Sequence, residues 1–445
     1  MQKAFPVYLR RLIYLFFILF FVISAPLLVL YTAGFRYNLQ KNKMEQVGVL
    51  LLDVEPKNAN FFINGEEQSS DRPLRLTQLK PNFYQVRAER KNYYPWQKNL
   101  EIKNRASTLA CDIVLFKYPA PVLMTERPAD DFSLSPDGEK LAILSEGGLW
   151  IKKIKNETES LWKSDRQFTA PLEFFWSKNG STLLLKKDKN FWIVNPEDNQ
   201  KLISLNQLTK KNFDKIRWAA EPERLFGQNG SLLLEIDLAE PSVKKIADKV
   251  EDFEIFDGAL FIIKQEGEFS SVYKYSPLNI FHNFSLIRQL TGGEYKLGEF
   301  HDNFLVLKRK NNEIYLLDAT NPKQPLFIVP GWNARWGMGP KNNFLYYYDG
   351  AELWIFDPKT KKSSMLERFE NNLKKAEPLP DIPYYLLQVN QKISVSELDD
   401  RDRRQTQTLF EGRNIQNFTL DNQGKNIYFL EKMREGNKLL KLEIR

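Results

Sequence analysis

The chain has 445 residues, a formal net charge of +8, two histidines and one cysteine. Residues 1–46 hold six lysines and arginines against one acid, a surplus of +5, which leaves +3 for all the rest and does not indicate a nucleic-acid-binding protein. One cysteine excludes an intrachain disulfide, and His282 and His301 lie in different repeats without metal-ligand spacing, so no metal site or cofactor is predicted.

The first predicted element is a membrane-spanning helix at residues 12–35. The segment contains no charged residue, and about 20 apolar residues are enough for a helix to cross a bilayer. It is longer and more apolar than most signal-peptide cores, and Tyr31, two positions before Ala33, makes a poor cleavage site. We therefore expect an uncleaved signal anchor rather than a cleaved signal sequence or a buried helix of a soluble domain.

The regions on either side of this span predict its orientation. Residues 1–11 form a short tail and residues 36–46 a juxtamembrane linker, and each side carries three basic residues, so positive charge alone decides little. A large C-terminal part that follows one early span is usually exported. We expect a single-pass cell-membrane protein with a short cytoplasmic tail and the bulk of the chain outside the cytoplasm.

A small β-sandwich is predicted at residues 47–117. Short segments alternate apolar and polar residues, as half-buried strands do, at 47–54, 59–65, 73–76, 83–88, 96–102 and 110–115. Cys111 lies in one of them and is expected to be a small core residue.

This segment resembles a PEGA domain over nearly its full length. The matching residues are Pro56, Ala59, Ile63-Asn64-Gly65, 79–86 and 91–96, and the departures are Lys57, Asn58, Asn82 and Asn92. Asparagine tolerates left-handed backbone, so the two turns at which it replaces glycine are expected to persist. The resemblance implies a surface-exposed structural or interaction module without catalytic residues.

Residues 118–445 contain a repeat that predicts a β-propeller. The clearest copy, Ser135-Pro136-Asp137-Gly138-x-x-Leu141-Ala142, ends one strand, turns and begins the next. Copies lie near 132–151, 174–194, 216–237, 253–275, 304–318, 334–357, 384–395 and 418–444. The repeat resembles TolB-like and WD-repeat-like propellers, although it lacks the regular Gly-His and Trp-Asp signatures. We favour eight blades, with seven as the alternative if the weak copy near 384–395 is a loop.

The two ends of the repeat region predict how the propeller closes. The sequence reaches Arg445 just after the third strand of the last copy, and an additional strand at residues 121–125 precedes the first copy. We predict that this early strand completes the last blade. Together, the resemblances imply a membrane-anchored bacterial protein of all-β fold with one transmembrane helix.

Catalytic signatures are scarce, so we predict a binding or scaffold protein and not an enzyme. No Gly-x-Ser-x-Gly elbow, phosphate loop or His-Glu-x-x-His motif occurs. Asp130 and Asp131 and the mixed-charge segment 399–404 are interpreted as solvated loops, and Trp332 as a weak candidate for a rim contact. Tryptophans at equivalent strand positions are expected to pack between blades: Trp150, Trp176, Trp192, Trp218, Trp336 and Trp354.

The predicted partners are the membrane, through residues 12–35, and an envelope protein or glycan bound by the propeller loops. The binding residues are not predicted. The alternative is a glycan-active or other envelope enzyme that uses carboxylates around the propeller channel. A sensor is a third interpretation, but a cytoplasmic tail of about 11 residues leaves little room for an output domain.

Overall fold

The computed structural model describes residues 7–32, 35–38, 43–68, 73–154, 160–197, 202–275, 284–331, 333–339 and 342–445. It forms two compact units. Unit 1 comprises Met1–Tyr118 together with Asp399–Gln405, and unit 2 comprises Pro119–Leu398 and Thr406–Arg445. Apart from an N-terminal helix and one short helix, the described elements are strands, which confirms the all-β prediction.

The N-terminal helix α1 spans Val7–Thr32. Its segment Arg11–Thr32 has 22 residues, a mean hydropathy of 2.8 and no burial, so it is long and apolar enough to cross a membrane. Residues 33 and 34 of the predicted span lie outside the described part of the chain. A hairpin follows, made of β1 (Phe35–Asn38) and β2 (Lys43–Gln46), in which Phe35 pairs with Gln46.

The rest of unit 1 contains two sheets that share one apolar core. The strands are β3 (Gly48–Glu55), β4 (Asn60–Ile63), β5 (Glu66–Glu67), β6 (Leu74–Leu79), β7 (Asn82–Glu89), β8 (Trp96–Ile102) and β9 (Ser107–Val114). The sheet orders are β6-β3-β9 and β5-β4-β7-β8. Leu52, Phe61, Val86 and Leu100 from the two sheets meet in the core. The predicted sandwich is present, with the two-residue strand β5 in addition.

Cys111 does not lie in this core, so that prediction was wrong. Ala110 and Ile113 of β9 point inward and the thiol is exposed. A register shift between β3 and β9 interrupts the alternation at this point. Partial desolvation by its neighbours, followed by the charges of Asp112 and Asp53, raises the pKa of Cys111, which disfavours the thiolate.

Unit 2 begins with β10 (Val122–Leu123), which pairs with the last strand of the chain. Sheet 1 contains β11 (Asp131–Leu134), β12 (Lys140–Ser145), β13 (Gly148–Lys153) and β14 (Ser160–Lys163), and sheet 2 contains β15 (Glu173–Trp176), β16 (Leu183–Lys187), β17 (Asn190–Val194) and β18 (Ile203–Ser204). Sheet 3 contains β19 (Lys215–Trp218), β20 (Arg224–Asn229), β21 (Leu232–Asp237) and β22 (Ser242–Ala247), and sheet 4 contains β23 (Val250–Phe256), β24 (Ala259–Glu266), β25 (Phe269–Tyr275) and β26 (Phe284–Thr291). The short helix α2 (Leu205–Thr209) follows β18.

Four further sheets follow. Sheet 5 contains β27 (Tyr295–His301), β28 (Phe304–Arg309), β29 (Glu313–Asp318) and β30 (Phe327–Pro330), and sheet 6 contains β31 (Asn333–Met338), β32 (Asn343–Tyr348), β33 (Glu352–Asp357) and β34 (Lys362–Arg368). Sheet 7 contains β35 (Leu373–Pro378), β36 (Tyr384–Val389), β37 (Lys392–Glu397) and β38 (Thr406–Glu411), and sheet 8 contains β39 (Ile415–Leu420), β40 (Asn426–Met433) and β41 (Gly436–Glu443). The copy near 384–395 thus builds a complete four-stranded sheet, β35-β36-β37-β38.

The last sheet is completed by the first strand of unit 2, as predicted. Val122 pairs with Lys441 and Leu123 with Leu440, and the Met124 amide donates to the Leu439 carbonyl at 2.9 Å. The resulting order is β10-β41-β40-β39. The beginning and the end of unit 2 are therefore joined by backbone hydrogen bonds.

Buried side chains from neighbouring sheets form shared cores between them. Leu144 and Ile151 of sheet 1 pack with Leu185 of sheet 2, and Leu141 of sheet 1 packs with Tyr428 of sheet 8. A single twisted sheet cannot cover both of its faces, so each sheet depends on its neighbours for burial. The second strand of sheet 1, β12, is accordingly buried along its whole length.

The repeated Ser-x-Asp/Asn-Gly phrase closes the turn between the first and second strands. The Gly138 amide donates to the Ser135 carbonyl at 2.8 Å, and the Lys140 amide donates to the Ser135 hydroxyl, also at 2.8 Å. Gly138 has a φ of +71°, which a residue with a Cβ rarely adopts. Ser177 and Gly180 make the same turn in sheet 2.

Candidate functional site

The first strands of the sheets carry charged side chains that join neighbouring sheets. In sheet 3, the Lys215 ammonium lies 2.8 Å from the Asp252 carboxylate and 2.7 Å from that of Glu254, both in sheet 4. Arg217 also donates to Glu254, with Nε 3.0 Å from Oε2. The second oxygen of Asp252 accepts the Leu297 amide of sheet 5 at 2.8 Å. Asp252 therefore links three successive sheets.

Similar links join sheet 5 to sheet 6 and sheet 7 to sheet 8. Glu299 lies 2.5 Å from Arg335 and accepts the Trp336 amide at 3.0 Å. Lys375 donates to the Phe418 carbonyl at 2.7 Å and lies 3.4 Å from Glu377 on its own strand. We call this set the inner belt; its members are Lys215, Arg217, Asp252, Glu254, Glu299, Arg335, Lys375 and Glu377.

The electrostatics of the inner belt differ from one member to the next. Burial alone would lower the pKa of Arg335, but Glu299 and Glu377 outweigh it and hold the pKa above its ordinary value. Burial lowers the pKa of Lys375, and Glu377 offsets that effect only in part. Burial also lowers the pKa of Lys308, which stands near Arg335 and Glu299. The belt has four basic and four acidic members, and most of them have a partner across a sheet boundary.

Asp130 and Asp131 stand where the first strand of sheet 1 begins. Asp131 is partly buried and not the solvated loop residue that was predicted; burial, opposed by a hydrogen bond from the Phe132 amide, raises its pKa. The Asp130 carboxylate adds to that increase. Successive side chains of an extended strand point to opposite faces, so the two carboxylates do not converge on one point.

A recess opens between the turns of sheets 2 and 3. It has a volume of about 330 Å³ and is lined by Lys178, Asn179, Ala220 and Pro222. All four residues are exposed, so side chains from two neighbouring turns face solvent around one concavity. A volume at the lower end of the range for ligand sites suits one side chain or one sugar ring. An ammonium, an amide and an apolar wall can together hold a polar ligand by hydrogen bonds and ring contacts.

The tryptophans divide into two groups. Trp192 and Trp218 are buried, and Trp176, Trp336 and Trp354 pack partly buried against the cores between sheets, which agrees with the predicted packing role. They occupy first strands and third strands and not one equivalent position. Trp150 is different, because Arg127 and Lys163 stand over its ring at 4.3 and 4.4 Å.

Of the remaining candidates from the sequence, His301 is the one with a described position. His301 lies at the end of β27, where Nε2 is 2.6 Å from the Asn343 side-chain nitrogen. His282 and Trp332 lie outside the described residues. Among the residues with described positions, no group of three or more His, Cys, Asp or Glu side chains could hold a metal ion.

The mixed-charge segment Asp399–Gln405 belongs to unit 1, and its backbone is not simply solvated as predicted. The side chain of Lys98 on β8 is completely buried, and its ammonium donates to the carbonyls of Asp399, Arg401 and Arg403 at 2.6, 2.9 and 2.8 Å. Asp402 accepts the Asn99 amide at 2.8 Å. The charged side chains mostly face water while the carbonyls turn inward onto one lysine.

The sequence predicted the strands on which these residues lie, but it did not predict the inner belt, the Lys98 contacts or the recess. The inner belt leaves a weak signal, charged residues at alternate positions of some first strands, such as Lys215 and Arg217 in β19 and Lys375 and Glu377 in β35. Lys98 leaves a clearer one, because it stands at a buried phase of an otherwise regular alternation, Trp96, Lys98, Leu100 and Ile102. Ala220 and Pro222 carry no signal of their own, since the recess exists only when two turns lie side by side.

No family model matches the chain, and no curated protein matches it. Solved structures with a similar fold include BamB from Moraxella catarrhalis, at 8% identity and a TM-score of 0.50 over 74% of this chain and 99% of that one. The Dos1 propeller matches at 14% identity and a TM-score of 0.50, over 73% of this chain and 94% of that one. NirN, a dihydro-heme d1 dehydrogenase, matches at 10% identity and a TM-score of 0.53, over 73% and 78%.

These likenesses show the fold alone. The share of the chain that they cover is close to the share that unit 2 makes up. The chain therefore contains a β-propeller fold preceded by one N-terminal apolar helix.

Proposed function

We propose that this protein is a membrane-anchored binding or scaffold protein that presents an eight-bladed propeller to an envelope protein or glycan. The helix α1 would be an uncleaved anchor, the PEGA-like sandwich of unit 1 an extracytoplasmic module, and unit 2 the part that binds. Eight four-stranded sheets in the described part of unit 2, each packed on the next, support the eight-blade count.

The observation that carries the proposal is that the charged side chains of the inner belt join neighbouring sheets to one another. Asp252, Glu254 and Glu299 each accept hydrogen bonds from a neighbouring sheet. Carboxylates held in this way stabilise the propeller and are poorly placed to exchange protons with a substrate, because each lost bond leaves a partner unpaired. Lys178 and Asn179, by contrast, are exposed at the recess. A rigid platform with exposed turns suits recognition without chemistry.

The test is a comparison of two bulky substitutions in the full-length protein. Ala220→Trp fills the recess, whereas Gln423→Trp places the same side chain on an exposed turn of sheet 8 outside it. Each tagged variant is expressed in native membranes, cross-linked, solubilised and purified, and the retained proteins and glycans are quantified. We expect one specific partner that wild type and Gln423→Trp retain equally and Ala220→Trp loses at least tenfold. Equal retention by all three would reject the recess as the binding site.

The alternative function, an envelope enzyme, has one observation in its favour, the raised pKa of Asp131 on a first strand. Carboxyl groups with raised pKa values are typical of general acids. If this carboxyl acts chemically, purified full-length protein turns over an added envelope glycan or peptide library, and Asp131→Asn abolishes the turnover without changing the melting temperature. Our proposal predicts no turnover by wild type or variant.

A further inference from the structure

One end of the unit 1 sandwich is tied to the end of the apolar helix by a very short path. The helix ends at Thr32, and Phe35 pairs with Gln46 in the hairpin that follows. The Arg105 amide then donates to the carbonyl of Val47, the next residue, at 3.0 Å. Three residues span at most about 10 Å, and an antiparallel pair adds about 5 Å. The pairing of β1 with β2 therefore makes the path from Thr32 to Val47 a short spacer.

The turns that surround Val47 lie at this same end of the sandwich. Gly48, the first residue of β3, pairs with Leu79 at the end of β6 and lies beside the Lys103 carbonyl. Asn82 pairs with Ile102, so the turn before β7 and the turn after β8 are neighbours. The chain that leaves the helix thus enters the sandwich between these two turns.

The exposed side chains beside the two turns include three basic residues and one large aromatic ring. Lys80 and Phe83 flank the first turn, and Lys103 and Arg105 flank the second; all four are exposed, Phe83 by 64%. Glu101 is the acid nearest to the second turn, and Lys103 pairs with it at 3.4 Å.

The two acids of β5 stand further back. Glu66 and Glu67 are on β5, which pairs with β4, and β4 meets β7 no closer to the turn than Val86. They are thus about 10 Å behind Phe83. The tip itself carries a net positive charge and an exposed ring.

We propose that this end, which we call the basal face (Lys80, Phe83, Lys103 and Arg105), contacts the bilayer and binds anionic lipid headgroups. The inference rests on the proposed function, because it requires α1 to be a membrane anchor. Headgroups extend about 5–8 Å beyond the hydrocarbon on each side, and charge acts over a further Debye length of about 8 Å. The short spacer holds the basal face within that range. Basic residues suit anionic lipids, and an aromatic ring suits the interface.

Contact with the bilayer also sets the direction in which unit 1 points. The opposite end of the sandwich, at the turn that contains Asn58, is one strand length away. For the eight residues of β3 this is about 25 Å. A basal face held against the lipid keeps that end away from the membrane.

The test uses the full chain in lipid nanodiscs, with one fluorescent label. Cys111 is the single cysteine and is exposed, so Cys111→Ser provides a cysteine-free background. An environment-sensitive dye is placed by Asn104→Cys, at the tip of the turn between Lys103 and Arg105, or by Asn58→Cys at the opposite end. The discs contain headgroup-spin-labelled lipid, with phosphatidylglycerol or with phosphatidylcholine alone. We expect strong quenching at position 104 in phosphatidylglycerol discs, less in phosphatidylcholine discs, and none at position 58.

Charge reversal then separates lipid binding from simple proximity. Each basic residue near an anionic surface contributes about fivefold to the ratio of bound to unbound forms, so Lys80→Glu with Arg105→Glu should lower that ratio at least 25-fold. The matched control is Lys57→Glu with Lys91→Glu at the opposite end, which should leave quenching at position 104 unchanged. Equal quenching in both kinds of disc, or equal effects of the two double variants, overturns the basal face.

A separate measurement distinguishes this failure from failure of the proposed function. Native membranes are washed with alkaline carbonate, which releases proteins that no helix anchors. A chain that resists the wash but shows no quenching at position 104 rejects the basal face and leaves the anchor intact. A chain that the wash releases contradicts the anchor, and the basal face falls with it.

Discussion

Lys98 offers the sharpest test of how unit 1 is held together, because one ammonium group satisfies three backbone carbonyls. Lys98→Met keeps most of the side-chain volume and removes every donor. The carbonyls of Asp399, Arg401 and Arg403 then lose their bonds of 2.6, 2.9 and 2.8 Å. The side chain is fully buried, so water cannot replace the ammonium unless the segment swings outward.

The expected cost follows from these contacts. Hydrogen bonds to a charged group contribute roughly 1.5–3 kcal/mol each, and desolvation of the ammonium cancels several kcal/mol of that sum. Removal of one partner from a buried ionic cluster typically costs about 3–5 kcal/mol. We therefore expect Lys98→Met to lower the free energy of opening the segment Asp399–Gln405 by about 3 kcal/mol. This change raises the population of the open form on the order of 100-fold.

Limited trypsin digestion measures this opening, because Arg401, Arg403 and Arg404 are cleavage sites inside the segment. When opening is fast compared with cleavage, the cleavage rate follows the open population. We expect Lys98→Met to be cut on the order of 100-fold faster than wild type, with the same fragments and an unchanged signal from unit 2. The control is Lys103→Met, whose side chain is 68% exposed and pairs only with Glu101 among the contacts described. If Lys98→Met is cut no faster than Lys103→Met, the reasoning is refuted.

Three further predictions concern stability. Asp252→Asn should lower the free energy of unfolding in urea by about 3–5 kcal/mol, because it breaks a buried ionic link between three sheets. The control, Asp248→Asn at an exposed ion pair, should change this free energy little. Equal effects of the two substitutions would contradict the structural role of the inner belt. Met124→Pro removes the hydrogen bond from the Met124 amide to the Leu439 carbonyl and also removes a buried side chain. It should therefore lower the free energy of unfolding by more than the roughly 2–5 kcal/mol of a large-to-small core change. The control is Glu126→Pro at an exposed position, and equal melting temperatures of the two variants would contradict closure of the last sheet by β10. For Asp399, burial alone would raise the pKa, but the Arg401 side chain and amide outweigh it and hold the pKa below its ordinary value. The stabilisation that the ionised Asp399 carboxylate contributes is therefore complete above about pH 4 and is lost as the pH falls through its lower, folded-state pKa. The rate of hydrogen exchange of residues 399–405 should rise over that acidic interval. A fall in the exchange rate there would contradict the stabilising role of Asp399.

The fold was largely predictable because its signals are local. Alternation, the Ser-x-Asp/Asn-Gly turns and the early strand at 121–125 each depend on a few adjacent residues, and the ring closure followed from counting strands. The copy near 384–395 was underestimated because it lacks the turn phrase, although Tyr385 and Leu387 pack in a core between sheets as their counterparts do.

The sites were much less predictable because they depend on residues far apart in sequence. Lys98 binds carbonyls some 300 positions away, and Asp252 binds groups 37 and 45 positions away. Cys111 was misplaced for a local reason, a register shift that no composition signal marks. The recess at Lys178 and Ala220 requires two turns to be neighbours, which the repeat predicts in general but not in detail.

The claim on which the proposed function depends most directly is that the folded units are held at the membrane outside the cytoplasm. Cys111 makes this testable, since it is exposed and is the only cysteine. Intact spheroplasts are treated with a membrane-impermeant maleimide, with Cys111→Ser as the blank and lysed spheroplasts as the full-labelling reference. The proposal predicts labelling in intact spheroplasts equal to that after lysis, on a membrane-bound chain that retains α1. Labelling only after lysis would place unit 1 in the cytoplasm and contradict the proposed function.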